Sequence, residues 1–137
     1  MILNDLIAKC GPLLSVAPSA TVREAADKMV AANVGCTLVL ASEKLVGILT
    51  ERDLVRRVLV KGLDGDEVYV RDVMTRDVVI GKAKDQVELA VRLMTVHHIR
   101  HLPVVDRGGS VVGVLSIRNL LREEIQGMRD YIGQSEG

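Results

Sequence analysis

Apolar positions along this chain switch between helical and strand spacing, and the whole succession occurs twice. Residues 2–9 read as a short helix that Gly11-Pro12 breaks, and Leu13 to Ala17 as a brief strand. Thr21-Val22-Arg23-Glu24 is a capping box, opening a helix with Val22, Ala25, Ala26, Met29 and Val30 on one face. Asn33-Val34-Gly35 ends it. The apolar runs Thr37 to Ala41 and Leu45 to Leu49, joined by Ser42-Glu43-Lys44, predict an antiparallel hairpin. Leu54, Val55, Val58 and Leu59 then stripe a second helix that closes at Gly62, and the acidic stretch Leu63 to Glu67 reads as a linker.

The same order then returns. Val70 to Met74 parallels the opening helix and Val78 to Ile80 the brief strand. Asp85 is the expected cap of a helix with Val87, Ala90, Val91 and Met94 on its face. Leu102 to Val105 and Val111 to Leu115 form the second hairpin across Asp106 to Ser110, and Leu120, Leu121, Ile125 and Met128 stripe the last helix. Met29 and Met94 stand 65 positions apart and Gly47 and Gly113 66, the difference being one extra residue in the second hairpin loop. The predicted fold is α/β (α+β), with two β-α-β-β-α repeats. Residues 1–66 form the first, with an N-terminal helix and linker; residues 67–137 form the second, with a C-terminal helix. One such repeat is too small to bury its own sheet. Two packed sheet to sheet about a pseudo-twofold axis bury both and leave two clefts.

One motif recurs at matching places: Gly47-Ile48-Leu49-Thr50-Glu51-Arg52-Asp53 and Gly113-Val114-Leu115-Ser116-Ile117-Arg118-Asn119. Each is a glycine, two aliphatics closing a strand, a hydroxyl residue at a helix N-cap, two spacers, and an acid or its amide. A helix start offers unpaired N–H groups and partial positive charge, which suits phosphate or a ribose edge. The glycine lets a ligand or a second backbone come close. Thr-x-x-Asp is equally a capping box, which satisfies helix N–H groups without any ligand. Both readings stand at this point.

Composition narrows the function. Hydrophobic residues make up 48% of the chain, yet Phe and Trp are absent and Tyr69 and Tyr131 are the only aromatics, so the core must be aliphatic. Stacking of bases on several rings is largely unavailable. Eighteen basic and eighteen acidic residues give zero formal charge, without the basic excess of a nonspecific nucleic-acid or anionic-membrane binder. Cys10 and Cys36 have neither metal spacing nor a disulfide framework. Neither a signal peptide nor a bilayer-spanning run is apparent, so a soluble cytoplasmic protein is expected.

Val73-Met74-Thr75, the two glycine–hydroxyl–acid stretches, and Arg100-His101-Leu102-Pro103-Val104-Val105-Asp106 resemble the cystathionine-β-synthase (CBS) domain family. As a tandem pair over nearly the whole chain, the match resembles a Bateman module. The resemblance implies an adenosine-containing ligand: AMP, ADP or ATP, S-adenosylmethionine, or NAD. It implies that Asp53 accepts from ribose hydroxyls with Thr50 beside it, and that Ser116 and Asn119 are the matching pair. Asn119 replaces the more usual Asp, so its acceptor lacks charge assistance. Arg100 and His101 match phosphate-contacting positions, and their first-repeat counterparts Gly35 and Cys36 carry no such charge. Arg52 and Arg118 are further phosphate candidates, or else solvated residues at a helix start. Backbone near Val16 and Ile80, with Pro103 in the matching motif, completes the nucleotide-binding set. The resemblance also implies pairing into dimers through helices.

His97, His98 and His101 crowd together, but a helix end is expected between them and no acid or cysteine completes a metal set. Cys36 beside a strand reads as core, and no base–nucleophile pair assembles an enzyme. The expected function is a stand-alone regulatory module, a homodimer needing no cofactor, that signals ligand occupancy to a target protein or to its own oligomer. The alternative is a ligand-free dimerisation scaffold with vestigial clefts.

Overall fold

The computed structural model describes residues 1–11 and 13–136, with side chains of residues 125, 130–132 and 134–136 outside the description. Pro12 of the predicted helix break and the Ile125 side chain of the predicted stripe therefore lie outside the described residues. Two compact units emerge, and they are not the sequence halves 1–66 and 67–137. One comprises residues 11–78. The other joins residues 1–10 to residues 79–137, so the opening helix belongs with the second repeat and the segment through Val78 with the first.

In the unit of residues 11–78, β1 (Ser15–Val16) pairs in parallel with β2 (Cys36–Ala41), which pairs antiparallel with β3 (Lys44–Thr50). Ser42 and Glu43, both at positive φ (50° and 66°), make the tight hairpin turn. Helix α2 (Val22–Ala32) starts at the expected capping box: Thr21 Oγ1 accepts from Glu24 N–H at 3.1 Å, and Asn33 ends it in the left-handed region. Val30 lies outside the core, 81% exposed, because only Val22, Ala25 and Met29 face the sheet. After β3 come one turn of helix, α3 (Glu51–Asp53), and a π-helical stretch, Leu54–Leu59. Of the predicted stripe there, Val58 is buried and Leu54 packs against the core, while Val55 and Leu59 face outward. Helix α4 (Val70–Val73) closes this core: Val70, Val73 and Met74 join Val16, Val39, Leu49 and Val58. Burying each such side chain stabilises by about 1.5–3 kcal/mol.

In the other unit, α1 (Leu3–Ile7) takes the place that α4 takes in the first: Leu3 and Leu6 are buried with Leu102, Val104 and Leu115. Strand β4 (Gly81–Lys82) pairs in parallel with β5 (His101–Val105), which pairs antiparallel with β6 (Val111–Ser116). The brief strand thus falls after Val78 to Ile80 rather than on it. Helix α5 (Val87–His97) is preceded by Gln86, not capped by Asp85, whose Oδ2 instead accepts from Lys82 N–H at 2.9 Å. Ala90 and Met94 face the core and Val91 faces out. Helix α6 (Ile117–Glu136) buries Leu120, while Leu121 and Met128 are exposed. Two isolated bridges repeat the correspondence of α1 with α4: Ile2 pairs Gln86 as Tyr69 pairs Thr21.

Candidate functional site

Strand β3 ends where its last residue turns into a helix cap. Thr50 N–H donates to Asp53 Oδ2 at 3.0 Å, and Asp53 N–H donates back to Thr50 Oγ1 at 3.2 Å. The capping box is therefore formed. Asp53 is only 7% exposed, and its carboxylate also accepts from the Thr75 hydroxyl at 3.3 Å (Oδ1) and 3.4 Å (Oδ2). Arg57, one turn on, places Nε 3.8 Å from Asp53 Oδ1. Its Nη1 donates to the carbonyls of Val73 and Met74 at 3.1 and 3.0 Å, capping the C-terminal end of α4. Among the described residues no buried side-chain polar atom is left without a partner, so the carboxylate is satisfied without a ligand.

Neither Thr75 nor Arg57 stood out in the sequence analysis. Arg57 carried an available signal, since an arginine four residues after an acid on a helix can pair with it. For Thr75 there was only its place in Val73-Met74-Thr75.

The other motif closes on itself more tightly. Asn119 Oδ1 accepts from Ser116 N–H at 2.9 Å and from the Ser116 hydroxyl at 2.7 Å, while Asn119 N–H donates to Ser116 Oγ at 3.2 Å. Glu123 stands where the first motif has Arg57, and it pairs with Lys9 Nζ at 3.1 Å. Arg100 is exposed and its carbonyl accepts from Ile117 N–H at 2.8 Å; His101 opens β5 opposite Ser116. These residues lie at one end of the β5–β6 hairpin, next to the start of α6.

The remaining candidates divide. Val16 is a core side chain on an edge strand, and Pro103 is fully buried in β5 opposite Val114. Ile80 is 40% exposed and precedes β4; by register with the central strand, Gly81 rather than Ile80 is the counterpart of Val16. Arg52 is exposed on α3. Arg118 lies on α6, in an open surface hollow with Leu121, Arg122, Gln126 and Arg129. His97 ends α5 and His98 takes the left-handed position after it, so the three histidines do not share a helix. No group of three metal-ligating side chains occurs among the described residues. Burial, with the Glu51 carboxylate adding to it, pushes the Cys36 thiol up to about 12, the opposite of an activated nucleophile. Among the described residues, no helix is long and apolar enough to cross a membrane.

The CBS domain model matches residues 4–60 and 70–125, and the chain belongs to the CBS domain family as a tandem pair. It is 38% identical over 106 residues to the CBS domain-containing protein YhcV of Bacillus subtilis, covering 77% of this chain and 74% of that one. An uncharacterised protein of Methanopyrus kandleri is 37% identical over 114 residues. The match takes in 82% of this chain and 58% of that protein. The inosine-5′-monophosphate dehydrogenase of Methanocaldococcus jannaschii is 35% identical over 125 residues, 24% of its length. Among solved structures, the CBS domain protein PAE2072 of Pyrobaculum aerophilum, complexed with AMP, is 31% identical with a TM-score of 0.80. That match covers 88% of this chain and 90% of that one.

Proposed function

We propose that this chain is a regulatory module that binds an adenine nucleotide, AMP, ADP or ATP, and passes the occupancy on to a partner or to its own oligomer. The observation that carries the reading is Asp53, a buried carboxylate at a helix start in the motif that the family resemblance assigns to ribose. The similarity to a protein complexed with AMP supports the ligand class. Thr50 stands beside the diol, Ser116 and Asn119 form the weaker uncharged counterpart, and Arg100 with His101 supplies charge for phosphate. Homodimer formation belongs to the same reading. Val55, Leu59 and Leu63 recur at helical spacing on or just after the π-helical stretch with apolar side chains facing outward, as do Leu121 and Met128 on α6.

One observation favours the scaffold reading instead. Every Asp53 contact is already met within the protein, so the carboxylate has a purely structural role available. Calorimetry separates the two. Nucleotide binding to the unsubstituted protein, weakened about ten- to hundredfold in Asp53→Asn, supports the ribose role, the range expected for losing charge-assisted hydrogen bonds. Binding by the unsubstituted protein that Asp53→Asn leaves unchanged refutes it. Absence of binding by AMP, ADP and ATP supports the scaffold.

A further inference from the structure

The two motifs share a backbone frame and differ in the charge it carries. Glu51 N–H donates to the Gly35 carbonyl at 3.0 Å, and Ile117 N–H to the Arg100 carbonyl at 2.8 Å. Cys36 lies opposite Thr50 and His101 opposite Ser116, so the two hairpin ends correspond position for position. At the first, Glu51 and Asp53 outnumber Arg52. The Cys36 thiol there is pushed up by burial and then by the Glu51 carboxylate. At the second, Ile117 and Asn119 replace both acids, Arg100 replaces a glycine, and Arg118 keeps the place of Arg52. Arg100 and Arg118 are both exposed. The local charge has changed sign.

Hydrogen-bond polarity changes with it. An ionised carboxylate only accepts, at about four lone-pair sites. Asp53 commits two of them, to the Thr50 N–H and the Thr75 hydroxyl. Arg57 Nε, 3.8 Å away, is an ion-pair neighbour, so two acceptor sites stay open to a diol. Asn119 has one carbonyl oxygen with two lone pairs. The Ser116 N–H takes one at 2.9 Å and the Ser116 hydroxyl the other at 2.7 Å. A backbone N–H can only donate, so the atom facing it is the oxygen and the remaining atom of the amide is the NH2 group. Among the described residues Asn119 bonds only to Ser116 and not through Nδ2, and no buried side-chain polar atom lacks a partner. Nδ2 therefore reaches solvent with both protons to give.

We infer that the second motif takes a phosphoryl group rather than a ribose diol, the Asn119 amide donating to its oxygens and Arg100 and Arg118 supplying charge. The inference rests on the nucleotide reading above for its ligand, and gives the uncharged counterpart of Asp53 a partner of opposite polarity. A diol needs acceptors for its protons, and the Asn119 oxygen has no lone pair left. A phosphoryl group presents strong acceptor oxygens and negative charge, and pairs with arginine through charge-assisted hydrogen bonds.

The test is NMR of the Asn119 side-chain amide in the unsubstituted protein, titrated with inorganic phosphate, AMP and adenosine. Its NH2 resonances should shift saturably with AMP. Adenosine keeps the base and the diol but lacks the phosphoryl group, and should leave them in place. A saturable shift with inorganic phosphate as well marks a site for the free ion, and a shift with AMP alone marks the phosphoryl group of a nucleotide. Asn119→Asp keeps an acceptor toward Ser116, as Asp53 does toward Thr50, and turns the outward atom from donor to acceptor. Followed at the Arg118 backbone amide, that variant should bind the same ligand about tenfold more weakly or worse. Equal shifts with adenosine and AMP, no shift with either phosphate or AMP, or unchanged binding in Asn119→Asp each overturn the inference. AMP binding that Asp53→Asn weakens while Asn119 stays silent removes this inference and leaves the nucleotide reading standing. If Asn119→Asp does not fold, the titrations of the unsubstituted protein decide.

Discussion

Met74 occupies the space that a side chain at position 47 would need: a Cβ on Gly47 would stand 2.5 Å from Met74 Sδ and 2.9 Å from its Cγ. Ile7 stands in the same relation to Gly113, with Cγ2 at 2.7 Å. Each motif glycine is accordingly the seat of a side chain arriving from the segment that precedes a repeat. At Gly47 a second backbone also comes close, with Thr75 O at 3.0 Å. Gly47→Ala should therefore cost about 1–3 kcal/mol through overpacking. In a Met74→Ala background the same substitution should cost less than half as much. Urea unfolding of the four proteins measures this, and equal costs in both backgrounds would show that Met74 is not the obstacle.

Arg57 and Glu123 hold equivalent places, yet their bonds differ in worth. Arg57→Ala removes two carbonyl partners and the neighbour of a buried carboxylate. Its side chain is 48% exposed, so after screening the loss should be about 1 kcal/mol. Lys9 is 64% exposed, and Lys9→Ala should change stability by less than about 0.5 kcal/mol. Thermal unfolding in low and high salt compares them; a larger loss from Lys9→Ala would reverse the ranking.

Cys36 gives a pH dependence of definite sign. Its folded pKa is raised by burial and then by Glu51, from the ordinary thiol value of 9.0 to about 12. The neutral thiol's contribution is therefore fully present below pH 9 and is lost as the pH rises from there toward 12. Cys36→Ala should flatten that part of the stability curve. Iodoacetamide at pH 8 should reach the half-buried Cys10 before Cys36, read by mass after digestion. Equal labelling rates would place Cys36 in a more open setting.

The outward apolar residues test assembly. Leu59 is 74% exposed in the single chain. If a second copy covers it, light scattering at micromolar concentration should give a dimer for the unsubstituted protein and a monomer for Leu59→Glu. A monomer in both removes the homodimer from the reading.

Phosphate recognition by Arg100 and His101 predicts that affinity follows phosphate content and falls with salt. ADP should bind more tightly than adenosine, and the difference should shrink in Arg100→Ala. Adenosine binding as well as ADP would take both residues out of the phosphate role.

Much of the fold was legible because local chemistry and global position agree. Thr21 and Glu24 cap α2, and Thr50 and Asp53 cap α3, as their spacing implies. The hairpins follow from two apolar runs around a short polar turn. Where pattern and structure part, the reason is that an apolar period does not say how many of its members meet the core. Val30, Val55, Leu59 and Val91 keep the helical period and face outward. The expected cap at Asp85 failed because its carboxylate accepts from Lys82 instead.

From the sequence alone came the elements, the doubling, the family, and the two unequal motifs, since each is written in residues a few positions apart. Tertiary structure alone decided which segment completes which unit. Residues 1–10 join the second repeat and α4 the first, because a short apolar helix declares that it must be covered but not by what. It also decided that Asp53 meets Thr75 and that Arg57 caps α4. Those contacts join residues 16 to 22 positions apart, and no local spacing encodes them.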